Sequence, residues 1–123
     1  MLEAIKTICQ WNEIAGNTGV NRHLETSMLS EELAEAIIAL KEWDKVEAAD
    51  GILDIFWVWI GTLYKMGLSA EQINNCFEEI QASNFSKFTQ NDSWETVAIK
   101  DNTWKIMKPE KYFKPNLRKI LEK

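Results

Sequence analysis

The 123-residue chain carries 46% apolar and 27% charged residues at a net charge of −5, which excludes disordered, collagen-like and disulfide-scaffold proteins and fits one domain spanning 1–123. The acidic balance argues against DNA or RNA as the main partner. The longest apolar stretch, Gly51 to Met66, contains Asp54 and Lys65 and falls short of the roughly 20 residues of a bilayer span; with no signal-like start, a cytoplasmic protein with no membrane partner is expected.

Leu2, Ile5, Ile8, Cys9 and Ile14 recur near helical spacing, predicting a first helix over 2–15 that ends in the breaker-rich AGNTGVN. Met28, Leu29, Leu33, Ala36, Ile37 and Leu40 predict a second helix from about Leu24 to Glu42. Asp44 followed by Glu47 has the form of a capping box, so a third helix is expected from about Val46 to Lys65, stopping at Gly67. Ser69-Ala70-Glu71-Gln72 is a clearer box and opens a fourth, with Ile73, Cys76, Phe77 and Ile80 inward and its end near Ser83. Weak alternation around Asp101-Asn102 predicts a short hairpin or extended arm, and Pro115 a brief helix over NLRKILEK. The expectation is an all-α bundle of four to five helices.

The third helix is apolar nearly all round, from Ile52 through Ile60. A second copy would cover it, giving a homodimer or a dimer of dimers; a monomer with this helix at its centre is the alternative. Cys9 and Cys76 follow no metal-ligand spacing and read as buried thiols.

Charge is unevenly placed. Residues 1–83 hold 5 basic and 14 acidic groups, whereas 84–123 hold 9 and 5. On the second helix Glu32 and Glu35 share a side, with Glu31 beside them. On their own, such glutamates describe a solvated face. Asp50 and Asp54 are set one turn apart among Ile52, Leu53, Ile55, Phe56 and Trp57, where an unpaired carboxylate would be costly. They therefore call for a cation, a donor or a raised pKa.

Glu47 and Asp50 form a pair to match Glu32 and Glu35. One straight helix would separate Glu35 from Glu47 by about 18 Å, so a turn over Glu42 to Lys45 is needed to bring the pairs face to face. Four carboxylates at close quarters need a hard cation, and oxygen-only ligation suits Mg²⁺ or Mn²⁺. Glu47 has a competing role as the back-bonding member of the box begun by Asp44. Trp11, Asn17 and His23 are candidates for holding a base, with core packing for Trp11 and loop exposure for Asn17 and His23 as alternatives. Trp43, Trp57, Trp59, Trp94 and Trp104 read as packing residues.

EELAE followed by EAAD resembles the EExxE…ExxD pattern of the all-α nucleotide pyrophosphohydrolases, which include MazG, the dimeric dUTPases and phosphoribosyl-ATP pyrophosphohydrolase. SNFSK (Ser83 to Lys87) and IMKPEKYFKPNL (Ile106 to Leu117) are similar to stretches of small MazG-like and phosphoribosyl-ATP-pyrophosphohydrolase-like proteins. The eleven residues between Glu35 and Glu47 lie at the short end of the family's spacing.

The resemblance implies hydrolysis of a nucleoside triphosphate between its α- and β-phosphates. It implies Glu32, Glu35, Glu47 and Asp50 as Mg²⁺ ligands, Glu31 as a water-orienting group, and Asp54 as a ligand of a second ion or a lysine partner. Asn84 and Lys87 become candidates for ribose or phosphate contact; the tail lysines Lys105, Lys108, Lys111 and Lys114 read as a basic flap or a solvated arm. A phosphoribosyl-ATP pyrophosphohydrolase of histidine synthesis and a non-catalytic helical dimerisation module are the competing readings. A di-iron bundle is disfavoured because His23, the single histidine, has no glutamate three residues before it.

Overall fold

The computed structural model describes residues 1–122 and is all-α apart from a two-stranded ribbon. The helices are α1 (Leu2–Ile14), α2 (Arg22–Lys41), α3 (Lys45–Lys65), α4 (Ala70–Phe85) and α5 (Arg118–Leu121); the strands are β1 (Thr89–Gln90) and β2 (Thr96–Val97). Two compact units are present, Met1–Ile73 and Asn74–Lys123.

In the first unit α2 begins slightly earlier than its apolar period suggests, because Asn21 Oδ1 accepts the Leu24 N–H at 3.1 Å and caps it. Its end is closed by a Schellman turn: Asp44 N–H donates to Ala39 O at 3.0 Å and Trp43 N–H to Leu40 O at 3.2 Å. Trp43 takes the left-handed position, φ 56°, that glycine usually fills. Asp44 then caps α3, its Oδ1 accepting the Glu47 N–H at 3.1 Å. Three residues thus suffice to reverse the chain and lay α3 against α2.

Small residues let the two helices approach closely. Ala36 and Ala39 of α2 and Ala48 of α3 are buried, and a Cβ on Gly51 would lie 3.2 Å from Ala36 Cβ. The core of this unit is Ile5, Cys9 and Ile73, with Ile60, Leu63, Tyr64 and Leu68 packed around it. Burial pushes the thiols of Cys9 and Cys76 above their ordinary range, Glu71 adding to the effect at Cys9. Both are free and buried, as expected. Ile14, one of the apolar residues whose spacing predicts α1, is 79% exposed: it occupies the last turn of the helix, beyond the core.

The Ser69–Gln72 box opens α4 and is complete, with Gln72 N–H to Ser69 Oγ at 3.1 Å and Ser69 N–H to Gln72 Oε1 at 2.9 Å. Ile73 and Cys76 are buried, whereas Ile80 is half out.

In the second unit the expected hairpin at Asp101 is present, with a bridge between Lys100 and Ile106. A second hairpin, not expected from the sequence, pairs β1 with β2 around Asn91. The two turns repeat one design over NDSWE and DNTWK. The first side-chain oxygen, Asn91 Oδ1 or Asp101 Oδ1, accepts N–H bonds from the third and fifth residues. The fourth is a tryptophan at positive φ, Trp94 at 63° and Trp104 at 66°.

Trp43, Trp94 and Trp104 are 71%, 81% and 78% exposed. This corrects their reading as packing residues: a left-handed turn position at a loop tip points the side chain into solvent. The tail returns to the α4 end of the unit, where Ser83 Oγ donates to Phe113 O, Asn116 N–H to Glu79 Oε1 at 3.0 Å, and Lys119 pairs with Glu79 at 2.9 Å. The terminal helix is shorter than the NLRKILEK expectation, whose last residue, Lys123, lies outside the described residues.

Candidate active site

The turn at Trp43 places the acidic stretches of α2 and α3 opposite each other. Glu32 is half-buried, while Glu31, Glu35, Glu47, Asp50 and Asp54 are exposed. Partial burial, followed by the negative charges of Glu35, Asp54, Glu31 and Asp50, raises the Glu32 carboxyl above the ordinary carboxylate range. The negative charge of four of the expected acidic groups thus reaches Glu32. Glu47 shares a cavity of about 220 Å³ with Glu35, Glu42 and Asp44.

Glu47 is not used as the second half of a capping box, because the Asp44 N–H is already bonded to Ala39 O. Its carboxylate is left available. Among the described residues, no three acidic, histidine or cysteine side chains converge as a ready metal-ligand group. The donor set nonetheless fits a hard divalent cation: it is all carboxylate oxygen, comes from two facing helices, and crowds Glu32 with like charge.

Asp50 and Asp54 are not embedded in apolar surface as their neighbours in sequence suggested; both face out. Within one chain the interior line of α3 is Ala48, Ile55 and Gly61, while Ile52 and Leu53 are 50% and 67% exposed. Asp54 has no lysine within 4 Å among the described residues. Lys65 of α3 pairs instead with Glu25 of α2, at 2.6 Å.

Trp11 and Asn17 line one cavity of about 120 Å³ together with Asn12, Met28, Trp57 and Gly61. Trp11 and Trp57 meet edge to face, centroids 5.8 Å apart. Buried Asn12 donates Nδ2 to Ile8 O at 2.9 Å and accepts Asn17 Nδ2 at Oδ1, 3.0 Å. Asn17 is thereby oriented, and among the described residues its own Oδ1 accepts no hydrogen bond. Asn12 fits there because residue 61 is glycine: a Cβ would lie 2.9 Å from Asn12 Nδ2.

His23 is exposed on the first turn of α2 and does not line this cavity. The sequence reading missed Asn12, Trp57 and Met28 here; a buried asparagine among the apolar positions of α1 was the available signal. Asn84 and Lys87 belong to the second unit and touch each other, Lys87 Nζ donating to Asn84 Oδ1 at 3.1 Å.

A family model described as phosphoribosyl-ATP pyrophosphohydrolase matches residues 15–84. The match takes in α2, α3, the site carboxylates Glu31, Glu32, Glu35, Glu47, Asp50 and Asp54, and Asn84. A search of curated proteins finds no match. With more than half of its length matched, the chain belongs to the phosphoribosyl-ATP pyrophosphohydrolase family and so to the nucleotide pyrophosphohydrolases.

Proposed function

We propose that the protein is a Mg²⁺-dependent nucleoside-triphosphate pyrophosphohydrolase, Mn²⁺ being the alternative ion, that releases a monophosphate and pyrophosphate in the housekeeping of a cytoplasmic nucleotide pool. The observation that carries this reading is the gathering of Glu31, Glu35, Asp50 and Asp54 around Glu32, from two helices, in a chain of this family.

Glu32, Glu35, Glu47 and Asp50 would hold the ion, with Asp54 open to a second. When bound, a hard divalent cation neutralises phosphate oxygens and makes water more acidic. Glu31 accepts a hydrogen bond from the attacking water and orients it towards the α-phosphorus, and pyrophosphate leaves. No covalent nucleophile is required. In the first unit the Trp11–Trp57 cavity takes the base edge, which meets Asn17 Oδ1.

Both units serve this one pyrophosphohydrolase function. Exposed Leu33, Ile37, Leu53 and Trp59 on α2 and α3 support a homodimer, or a dimer of dimers, in which a second copy completes the core.

The test is pyrophosphate release from a panel of canonical and modified ribo- and deoxyribonucleoside triphosphates with Mg²⁺, beside a Glu35→Gln variant of unchanged melting temperature. Turnover by the wild type and its loss in the variant support the reading. No turnover of any nucleotide, with no melting shift on adding metal, leaves a non-catalytic helical module.

The description of the matching family favours a second reading, hydrolysis of phosphoribosyl-ATP in histidine synthesis. Growth of an auxotroph lacking that step on expression of this chain would select it over the housekeeping role.

A further inference from the structure

Asn12 and Asn17 of the first unit are joined twice. The Asn17 backbone N–H donates to Asn12 O at 2.9 Å, and Asn17 Nδ2 donates to Asn12 Oδ1 at 3.0 Å. Neither amide is free to turn over. Ile8 O, which Asn12 meets at 2.9 Å, is a carbonyl and only accepts, so the Asn12 group facing it is Nδ2 and the Asn12 oxygen is turned to Asn17. Only an N–H of Asn17 satisfies that oxygen. The accepting end of Asn17 is therefore set by a carbonyl of α1, through Asn12, which is 3% exposed. Gly61 of α3 leaves room for this relay, since a Cβ there would lie 2.9 Å from Asn12 Nδ2 and 3.4 Å from its Oδ1.

Both asparagines line the Trp11–Trp57 cavity. Lys65 is on the same wall, but its ammonium is held by Glu25, 2.6 Å and 2.7 Å from the two carboxylate oxygens. The cavity thus suits an uncharged ring and not a phosphate. Asn17 Oδ1 is the side-chain oxygen left there without a donor among the described residues.

Size decides which ring. The volume, about 120 Å³, is less than that of an engineered cavity of roughly 150 Å³ that holds one benzene. Trp11 and Met28 on the wall are 51% and 37% exposed, so the cavity is open at that side and a single six-membered ring enters by its edge. A fused bicycle exceeds it. Trp11 and Trp57 cross at 82°, which lets a flat ring stack on one indole and meet the edge of the other.

We propose that this cavity selects pyrimidine over purine nucleotides. Asn17 Oδ1 accepts the donor on the base edge, the amino group of a cytosine or the ring N–H of a uracil or thymine, and Asn12 is the positioning residue that holds that oxygen in place. That the occupant is a nucleotide rests on the pyrophosphohydrolase reading; the fixed orientation of Asn17 does not.

The experiment titrates the full chain in EDTA with CMP, UMP, AMP and GMP, recording the Asn17 side-chain amide and the Trp11 and Trp57 indole resonances. Monophosphates are not hydrolysed, so binding is read apart from turnover. CMP and UMP should shift these resonances and bind at least about tenfold tighter than AMP and GMP, and Asn17→Ala should weaken CMP and UMP by about tenfold, the scale of one hydrogen bond. Asn12→Ala should cost as much, and the double variant no more than either single one, because both remove the same contact. Additive losses would make Asn12 merely structural. Equal affinity for purines and pyrimidines, no shift with any of the four at millimolar concentration, or unchanged CMP and UMP binding in Asn17→Ala would overturn the proposal.

A second arm compares kcat/KM for CTP and UTP with that for ATP and GTP in Mg²⁺. Equal values would overturn the pyrimidine preference and leave the enzyme standing. Selective binding of CMP and UMP with no triphosphate hydrolysed would support the cavity's selectivity and sink the enzymatic reading.

Discussion

The Glu25 carboxylate of α2 accepts a hydrogen bond from Lys65 Nζ at 2.7 Å and another from Thr62 Oγ1 at 2.5 Å, both on α3. Glu25 is 4% exposed and the Lys65 side chain 14%, so a charged pair ties the far ends of the α2–α3 hairpin away from the carboxylate cluster. Replacing Lys65 with Met leaves a buried anion with one neutral donor. The expected loss is about 3 kcal/mol, visible as a lower urea midpoint. An unchanged midpoint would mean the pair is dispensable.

The same pair sets an acid limit. Burial raises the Glu25 carboxyl, but the hydrogen bonds from Lys65 and Thr62 and the Lys65 charge outweigh it and hold the group below its ordinary value of 4.5. A depressed folded-state pKa means that the unfolded chain takes up the proton first. The contribution is fully present above about pH 4.5 and is lost as pH falls from there through the folded-state value. Stability measured from pH 6 to pH 3 should fall less steeply in Glu25→Gln than in the wild type; parallel curves would assign the acid sensitivity to other groups.

Glu47 offers a test of ligand against cap. Its backbone N–H is held by Asp44, but its carboxylate closes no box. Without metal, Glu47→Gln should melt within about 0.5 kcal/mol of the wild type, while Asp44→Ala, which removes the cap, should cost about 1 kcal/mol. With Mg²⁺, the Glu47→Gln protein should show a smaller gain in melting temperature than the wild type. A large metal-free loss in Glu47→Gln would make it structural.

Trp94 and Trp104 hold left-handed turn positions with their side chains in solvent. A non-glycine residue there costs roughly 1 kcal/mol. Glycine at either position should therefore be neutral to mildly stabilising, by up to about 0.5 kcal/mol each after the greater entropy of the unfolded glycine chain is counted. Thermal melts of Trp94→Gly and Trp104→Gly check this, and a fall in either would show that the indole makes contacts that stabilise the turn.

The four long helices were legible in the sequence because local rules decide them: apolar spacing for α1 to α3, and a complete capping box at Ser69 and Gln72 for the start of α4. The turn after α2 was legible from the Asp44 cap and from the carboxylate spacing, not from a helix breaker. Its signal is a tryptophan where glycine is the usual mark, and Trp94 conceals the first hairpin for the same reason.

The acidic residues could be named from the sequence, since their one-turn spacing on each helix follows from the helical repeat. Which partner each acid meets is a matter of packing. The close approach of Gly51 to Ala36 and the rotation of α3 left Asp50 and Asp54 exposed, crowded charge around Glu32, and gave Lys65 to Glu25 across 40 positions of sequence. The sequence by itself determined the helices and the chemistry they carry, because both depend on neighbours within a turn or two. The tertiary structure alone decided burial and the pairing of Glu25 with Lys65, because those depend on residues far apart in the chain.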